Sequence, residues 1–163
     1  MTDKKIKLLI VDDEVKFLES IAKRLELRGF EVLTAHDGVR ALELAHEERF
    51  DLALLDLKMP GLNGKQVLEH LKQEHRFLEV IILTGHGSLE SAVDCTKLGA
   101  FCYLPKPYEM DKLIEVLGKA YQVRLERKFK EDQARLDELG RIALSSSPLG
   151  ILRRMRELDD EQR

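Results

Sequence analysis

The chain has few of the features that mark secreted, disulfide-rich or membrane proteins. It has only two cysteines in 163 residues, and Cys95 and Cys102 lack the close spacing of a metal-binding pair. We therefore expect reduced thiols that behave as small buried apolar side chains. The longest apolar run near the start, Leu8 to Val11, is far too short for a signal-peptide core or a membrane span. These absences predict a soluble, cytoplasmic protein with no membrane contact.

The chain also has no large excess of acidic or basic residues. The chain has 27 Lys and Arg against 30 Asp and Glu, and its 44% apolar content excludes a disordered chain. Residues 119–163 contain eleven basic and nine acidic side chains, so the tail is slightly basic and the rest is acidic. An acidic body argues against nucleic acid as a partner. The basic cluster Arg153, Arg154 and Arg156 is more often a solvated helix face than a phosphate contact.

Short apolar runs alternate with helical patterns through the first 118 residues. We predict five buried strands, each followed by an amphipathic helix, at 6–11, 31–34, 52–55, 80–83 and 101–104. Strands separated by helices indicate an α/β fold with a doubly wound, five-stranded parallel sheet. The pattern by itself leaves the order of the strands open.

The tail continues the helical pattern without a breaker to the serines at 145–147. Apolar residues follow a heptad spacing that Asp132 interrupts: Leu125, Phe129, Leu136, Leu139 and Ala143. Ser147 as the capping residue and Pro148 in the first turn predict a last helix. Its apolar side would comprise Ile151, Leu152, Met155 and Leu158. One interpretation is a solvated, frayed helix, and the other is a coiled coil or a partner-binding extension.

The residues that carry chemistry follow the predicted strands. Asp12 and Asp13 end the first strand, Asp56 the third and Thr84 the fourth, and Lys106 closely follows the fifth. Ligand sites of open parallel sheets form outside the carboxyl ends of the strands, so we expect these groups to meet at one edge.

Each carboxylate taken alone has an ordinary explanation. Asp56 could cap a helix or a turn, and Asp12 or Asp13 could cap the first helix. Three neighbouring carboxylates repel one another unless a cation lies among them. Oxygen ligands without histidine or cysteine favour a hard ion such as Mg²⁺. A carboxylate beside a divalent ion, a lysine and a hydroxyl is suited to accept a phosphoryl group.

The chain resembles the receiver domain of two-component response regulators over about residues 5–120. Four segments carry the resemblance, in family-like order and spacing: Ile10-Val11-Asp12-Asp13-Glu14, the stretch Asp51 to Gly64 with Asp56 and Met59-Pro60-Gly61, Thr84-Gly85, and Lys106-Pro107. The resemblance implies a flavodoxin-like fold with strand order 2-1-3-4-5. It implies a receiver domain over residues 1–120, to which residues 121–163 add a helical C-terminal extension.

The resemblance also implies roles for individual residues at the metal site. Asp56 would accept a phosphoryl group from a histidine kinase or a small phosphodonor. Asp13 and Asp56 would bind Mg²⁺ directly, Asp12 would assist through water, and the backbone carbonyl of Lys58 would complete the site. Lys58 and His86 occupy positions that tune hydrolysis of the phosphoryl group in the family.

Other residues would contact the phosphoryl group or change conformation when it is present. Lys106 would contact the phosphoryl group, and Pro107 would follow a cis peptide bond. Thr84 and Tyr103 would form the switch pair that remodels the face of the fourth helix, fifth strand and fifth helix. The implied partners are a sensor histidine kinase or phosphotransfer protein and, downstream, another protein or a second copy of the chain.

Two other functions compete with a phosphorylation switch. A phosphatase with an aspartyl-phosphate intermediate would need a second aspartate two residues after Asp56, where the chain has Lys58. We therefore expect no enzymatic turnover beyond slow autophosphorylation and autodephosphorylation. The chain could instead be the receiver part of a DNA-binding transcription regulator, although the tail shows no helix-turn-helix pattern.

Overall fold

The computed structural model describes residues 4–85, 89–145 and 148–161. Five parallel strands form one sheet in the order β2-β1-β3-β4-β5, which confirms the expected fold. The strands are β1 Lys7–Val11, β2 Glu31–Ala35, β3 Leu52–Leu55, β4 Glu79–Thr84 and β5 Cys102–Pro105. The helices are α1 Val15–Leu27, α2 Gly38–Glu47, α3 Gly64–Glu74, α4 Leu89–Lys97, α5 Met110–Ser145 and α6 Pro148–Glu161.

The three central strands β1, β3 and β4 are buried on both faces because nearly all of their residues are apolar. Alternate strand residues point to opposite faces. Leu9, Val11 and Leu55 pack in a cluster with α2, α3 and α4. Leu8, Ile10 and Leu54 pack in a second cluster with α1 and α5. Burying both faces removes most apolar side chains of the sheet from water, which is the main driving force for folding.

Local signals begin and end several helices. Asn63 and Gln66 form a reciprocal capping box at the start of α3, and the Asp37 side chain accepts the Arg40 amide at the start of α2. Gly29 follows α1 with a φ of 95°, a conformation in which glycine has no Cβ penalty. The predicted capping residues Ser88 and Ser147 lie outside the described residues.

The cysteines are free thiols, as the sequence predicts, but only one is fully buried. Cys95 is enclosed in the core, whereas Cys102 is half-buried. Desolvation raises the pKa of the Cys102 thiol to about 11. Both residues therefore contribute mainly apolar packing, and Cys102 remains protonated near neutral pH.

The chain divides into two compact units, Met1–Arg124 and Leu125–Arg163. The last residue of the first unit joins α5 to the amino-terminal edge of the sheet. Arg124 Nε donates to Asp51 Oδ1 at 3.1 Å, and Arg124 Nη1 donates to the Phe77 carbonyl at 2.9 Å. Asp51 Oδ2 also accepts the Lys7 amide at 2.9 Å. These bonds join this part of α5 to the first unit.

Arg124→Met is expected to lower the free energy of unfolding by about 1–2 kcal/mol, because it leaves Asp51 and a carbonyl without a charged donor. Urea unfolding of the full chain measures the loss. Lys128→Met, at an exposed position of the same helix, is the matched control and should leave the midpoint unchanged. Equal midpoints for the two variants would show that the Arg124 bonds contribute nothing to stability.

The second unit consists of the end of α5 and the whole of α6. Arg135 pairs with Asp159, and Arg154 Nε lies 3.5 Å from Glu138 Oε1. Leu158 of α6 is buried, which agrees with its predicted apolar side. The structure nevertheless leaves other predicted apolar positions exposed, among them Leu152, Met155, Leu125, Phe129 and Leu136. The Ile151 side chain lies outside the described part of the chain.

Among the residues that the structure describes, no helix combines the length and hydropathy of a membrane span.

Candidate functional site

Four strand ends converge at the carboxyl edge of the sheet. The Asp56 amide donates to the Val11 carbonyl at 3.0 Å, which sets the end of β3 beside the end of β1. The Lys106 amide donates to the Thr84 carbonyl at 3.0 Å and joins the chain after β5 to the end of β4. The parallel register thus brings residues that are distant in sequence to one edge, as the sequence predicts.

The carboxylates of Asp12, Asp13 and Asp56 form the centre of the site. One oxygen of each lies within 4.8 Å of the others. Asp12 and Asp56 are each only 2% exposed, whereas Asp13 is exposed. The cluster therefore combines two buried acids with one that faces solvent.

Asp12 accepts a backbone amide just before α1 and also binds a lysine. Its Oδ1 accepts the Glu14 amide at 2.9 Å, and its Oδ2 lies 2.5 Å from Lys106 Nζ. Burial raises the pKa of Asp12 above its usual value, and the Lys106 and Glu14 hydrogen bonds act in the opposite direction. The sequence left capping and site chemistry as alternatives for this residue. The N-cap position of α1 is Glu14 and no side chain caps it, so the side-chain contacts of Asp12 lie at the site and not in the helix.

Lys106 is the cation of the site. Its Nζ lies 3.9 Å from Asp56 Oδ2, and its side chain is 13% exposed. A buried ammonium beside two carboxylates offsets part of their mutual repulsion. The peptide bond from Lys106 to Pro107 is cis, as the resemblance implies.

The contacts of Asp56 leave one of its oxygens available for a ligand. The Lys58 amide donates to Asp56 Oδ1 at 3.4 Å. Asp56 Oδ2 is buried and has no hydrogen-bond partner among the described residues. Burying an acceptor in this way has a free-energy cost that a bound cation or a transferred group would remove.

Gly64 keeps the loop after β3 close to α3. A Cβ at this position would lie 2.4 Å from the Asp56 carbonyl oxygen and 2.5 Å from Leu57 Cα. The Gly64 amide donates to the Leu57 carbonyl at 2.8 Å. Only a residue without a side chain allows this approach, so Gly64 contributes to the position of the Asp56 backbone.

The expected switch residues lie on β4, which neighbours β3, and on β5, which neighbours β4. Thr84 is fully buried at the end of β4. Tyr103 in β5 is half-buried and packs against the core cluster on the α4 face. Burial raises the pKa of Tyr103, with smaller contributions from Cys95 and Asp56. His86 lies outside the described residues.

The residues present fit a hard divalent cation. They offer carboxylate oxygens from Asp12, Asp13 and Asp56 within one small volume, and one of those oxygens is buried without a hydrogen bond. Magnesium binds such oxygen ligands and retains several waters. The exposed position of Asp13 leaves room for those waters.

A family model described as the response regulator receiver domain matches residues 8–118. The chain belongs to the response regulator receiver domain family. It is homologous to two-component response regulators, and the match includes the acidic cluster and Lys106. The matched residues include the sheet from Leu8 onward, α1 to α4 and the first part of α5.

Curated relatives of this receiver domain are much longer proteins. The chain is 35% identical over 122 residues to the transcriptional regulatory protein GlrR of Escherichia coli, covering 75% of the chain and 28% of GlrR. It is 36% identical over 118 residues to a putative NtrX-like response regulator of Rickettsia felis, covering 71% of the chain and 25% of the relative. The matched region therefore spans about a quarter of the length of these relatives.

Solved structures support the same assignment. A CheY-like receiver domain protein from Methanospirillum hungatei is 31% identical with a TM-score of 0.74, covering 76% of this chain and 99% of that one. NtrX from Brucella abortus is 32% identical with a TM-score of 0.74, covering 80% of this chain and 30% of that one.

Sequence reasoning missed one side chain at this edge. The Phe17 ring centroid lies 3.9 Å from Lys106 Nζ. Phe17 falls outside the main apolar stripe of α1, which comprises Leu18, Ile21, Ala22 and Leu25. The available signal was an aromatic residue in the first turn of the helix that follows the acidic pair.

Proposed function

We propose that this receiver domain accepts a phosphoryl group on Asp56 in a Mg²⁺-dependent reaction and that the modification changes its affinity for a partner. The observation that carries the proposal is the buried Asp56 Oδ2, which has no hydrogen-bond partner among the described residues and lies 3.9 Å from Lys106 Nζ. That oxygen combines a lone pair with a neighbouring positive charge, as a phosphoryl acceptor requires.

In the proposed reaction Asp56 Oδ2 attacks the phosphorus of a phosphohistidine or an acyl phosphate. A new O–P bond forms while the P–N or P–O bond of the donor breaks, and the leaving group keeps the bonding electron pair. Lys106 would balance the charge of the phosphoryl oxygens, and the Thr84 hydroxyl would donate to one of them. Slow hydrolysis of the acyl phosphate would return the carboxylate.

Asp13 and Asp56 would hold Mg²⁺ directly, with Asp12 acting through water and the Lys58 carbonyl as a further ligand. The ion would supply charge neutralisation for the phosphoryl oxygens. The Lys58 amide already lies beside Asp56 Oδ1, which supports a role for this part of the loop.

Intact-mass spectrometry of the full chain tests the proposal. After incubation with acetyl phosphate, we expect a gain of one phosphoryl group with Mg²⁺ and none with EDTA. Beryllofluoride, which mimics the aspartyl phosphate, should bind under the same Mg²⁺-dependent conditions. A chain that gains no mass and binds no beryllofluoride would overturn the proposal.

A histidine kinase or phosphotransfer protein is the proposed donor, and the downstream partner is proposed to meet α4, β5 and α5 or the tail. A second copy of the chain is the partner that the tail favours. Its exposed apolar residues Leu125, Phe129 and Leu136 lie on one side of α5 at heptad spacing, and pairing would remove them from water. Thr84 and Tyr103 are proposed to couple the site to the α4–β5–α5 face.

Phe129→Glu in the full chain is expected to shift a dimer towards the monomer, because Phe129 is 69% exposed and a charge there cannot be buried cheaply. Sedimentation across a concentration series measures the shift. Lys130→Glu, an exposed position off the heptad seam, is the matched control. Monomeric behaviour of the unmodified chain at high concentration would contradict pairing through the tail.

A DNA-binding output is a second candidate, because one relative of 35% identity is named a DNA-binding transcriptional regulator, NtrC of Escherichia coli. The match covers 24% of that protein, so its DNA binding is not transferred to the matched region. The expectation that this chain itself does not bind nucleic acid stays a prediction, and electrophoretic mobility shift at low salt would test it.

A further inference from the structure

The ammonium of Lys106 has an aromatic neighbour as well as an acidic one. The Phe17 ring centroid lies 3.9 Å from Lys106 Nζ, well within the roughly 6 Å over which a ring face attracts a cation. The lysine side chain is only 13% exposed, so this attraction acts with little competition from water. Lys106 is thus held between the ring and the carboxylates of Asp12 and Asp56.

The ring is itself held in place by the loop that carries the lysine. Phe17 is the third residue of α1, and its ring meets the Tyr108 ring edge to face, with centroids 6.0 Å apart and planes at 88°. This geometry is a favourable one for aromatic pairs. Phe17 therefore contacts two residues of the β5–α5 loop, Lys106 through its charge and Tyr108 through its ring.

The two partners of Lys106 respond differently to a bound cation. Asp12 belongs to the acidic cluster and would serve a divalent ion through water, so the ion would compete with the lysine for this carboxylate. Phe17 offers no anionic atom, and it attracts the ammonium without neutralising the charge that a phosphoryl group needs. Its contact with Lys106 can therefore persist when the contact between Asp12 and Lys106 weakens.

We propose that Phe17 is a positioning residue, which holds the Lys106 ammonium beside Asp56 when a cation occupies the acidic cluster. The proposal rests on the proposed phosphoryl acceptance at Asp56. Phe17 would thus give α1 a role in the reaction, whereas the other residues of the site lie at the ends of the strands. The lysine would enter the reaction already oriented, so less of its side-chain freedom would be lost when the phosphoryl group arrives.

Phe17→Leu tests the proposal, because leucine keeps an apolar side chain and removes the ring face. In saturating Mg²⁺ we expect beryllofluoride affinity and the rate of phosphorylation by acetyl phosphate to fall roughly 3- to 30-fold. Mg²⁺ affinity in the absence of phosphodonor should not fall. Phe17→Tyr keeps the ring and should retain both activities within about twofold of the unmodified chain.

A double-mutant cycle separates positioning from general packing. In a Lys106→Met background, Phe17→Leu should cause no further loss of beryllofluoride affinity, since no cation is left for the ring to hold. Phe77→Leu is the matched control: it removes another cation–π contact, with Arg76 at 5.1 Å, next to the start of β4 and away from the carboxyl edge. This variant should bind beryllofluoride like the unmodified chain.

The outcomes distinguish the two proposals. An unmodified chain that binds no beryllofluoride overturns phosphoryl acceptance and, with it, the role given to Phe17. If the unmodified chain binds beryllofluoride and Phe17→Leu binds it equally well, only the role of Phe17 is overturned. A loss of the same size in the Lys106→Met background would also overturn it, because the ring would then act through packing alone.

Discussion

Asp56→Asn is expected to abolish the Mg²⁺-dependent mass gain with acetyl phosphate. The amide that replaces the carboxylate has no anionic oxygen to attack phosphorus, and no neighbour is placed to substitute for it. Asp12 Oδ2 is engaged by Lys106 at 2.5 Å, and Asp13 is exposed to solvent. The measurement is intact-mass spectrometry after a fixed incubation, followed by peptide mapping of the modified residue.

Two further variants sharpen this experiment. Asp111→Asn, at an exposed position in the first turn of α5, is the matched control and should gain one phosphoryl group like the unmodified chain. Asp13→Asn should still be modified but should need more Mg²⁺, because it loses a proposed ligand. A modified Asp56→Asn chain would show that the acceptor is another residue.

Lys106→Met is expected to lower the free energy of unfolding by about 3 kcal/mol at neutral pH without Mg²⁺, because it leaves the buried Asp12 carboxylate without its cation. Asp12 is 2% exposed, and the Glu14 amide alone cannot compensate a full negative charge. Methionine keeps the apolar stem of the side chain, so the loss reports mainly on charge. Urea unfolding in EDTA measures it.

The loss of stability in Lys106→Met should become smaller as the pH falls and when Mg²⁺ is added. Burial raises the pKa of Asp12, and the Lys106 contacts oppose the rise, so the Met variant should have an Asp12 pKa higher still. The folded state then binds a proton more tightly than the unfolded state, and the deficit should shrink as the pH falls through the folded pKa. Added Mg²⁺ should also shrink it, because the ion replaces the missing positive charge beside Asp12 and so stabilises the folded Met variant more than the unmodified chain.

Lys119→Met provides the comparison for this stability experiment. Lys119 pairs with Glu115 at 3.0 Å on the exposed face of α5, and such surface pairs contribute little. The unfolding midpoint of the Lys119→Met variant should match that of the unmodified chain at every pH. If Lys106→Met behaved in the same way, the contact between Lys106 and Asp12 would make no net contribution to stability.

Much of the fold and of the acidic cluster was predictable from the sequence. Unbroken apolar runs such as Leu52 to Leu55 indicate strands that are buried on both faces. Parallel strands direct their carboxyl ends to the same edge, so polar residues at the ends of several runs had to converge. This argument anticipated that Asp12, Asp56 and Lys106 lie together.

The parts that were missed depend on contacts between elements. The apolar stripe of α1 indicated which side faces the sheet, but it could not indicate that Phe17, beside that stripe, would meet Lys106. In the tail, the predicted apolar side of α6 included residues that the structure leaves exposed, such as Leu152. An amphipathic pattern shows which side of a helix is apolar, but not which neighbour covers it.

By itself, the sequence determined the alternation of strands and helices and the polar residues at the strand ends, because periodicity and local charge are properties of neighbouring residues. The periodicity left the strand order open, and the family resemblance supplied the order that the structure confirms. Only the tertiary structure decided the division of Asp12 between the Glu14 amide and Lys106, and the ring beside that lysine. Each of these depends on close packing between segments far apart in the chain, where differences of about an ångström select one partner over another.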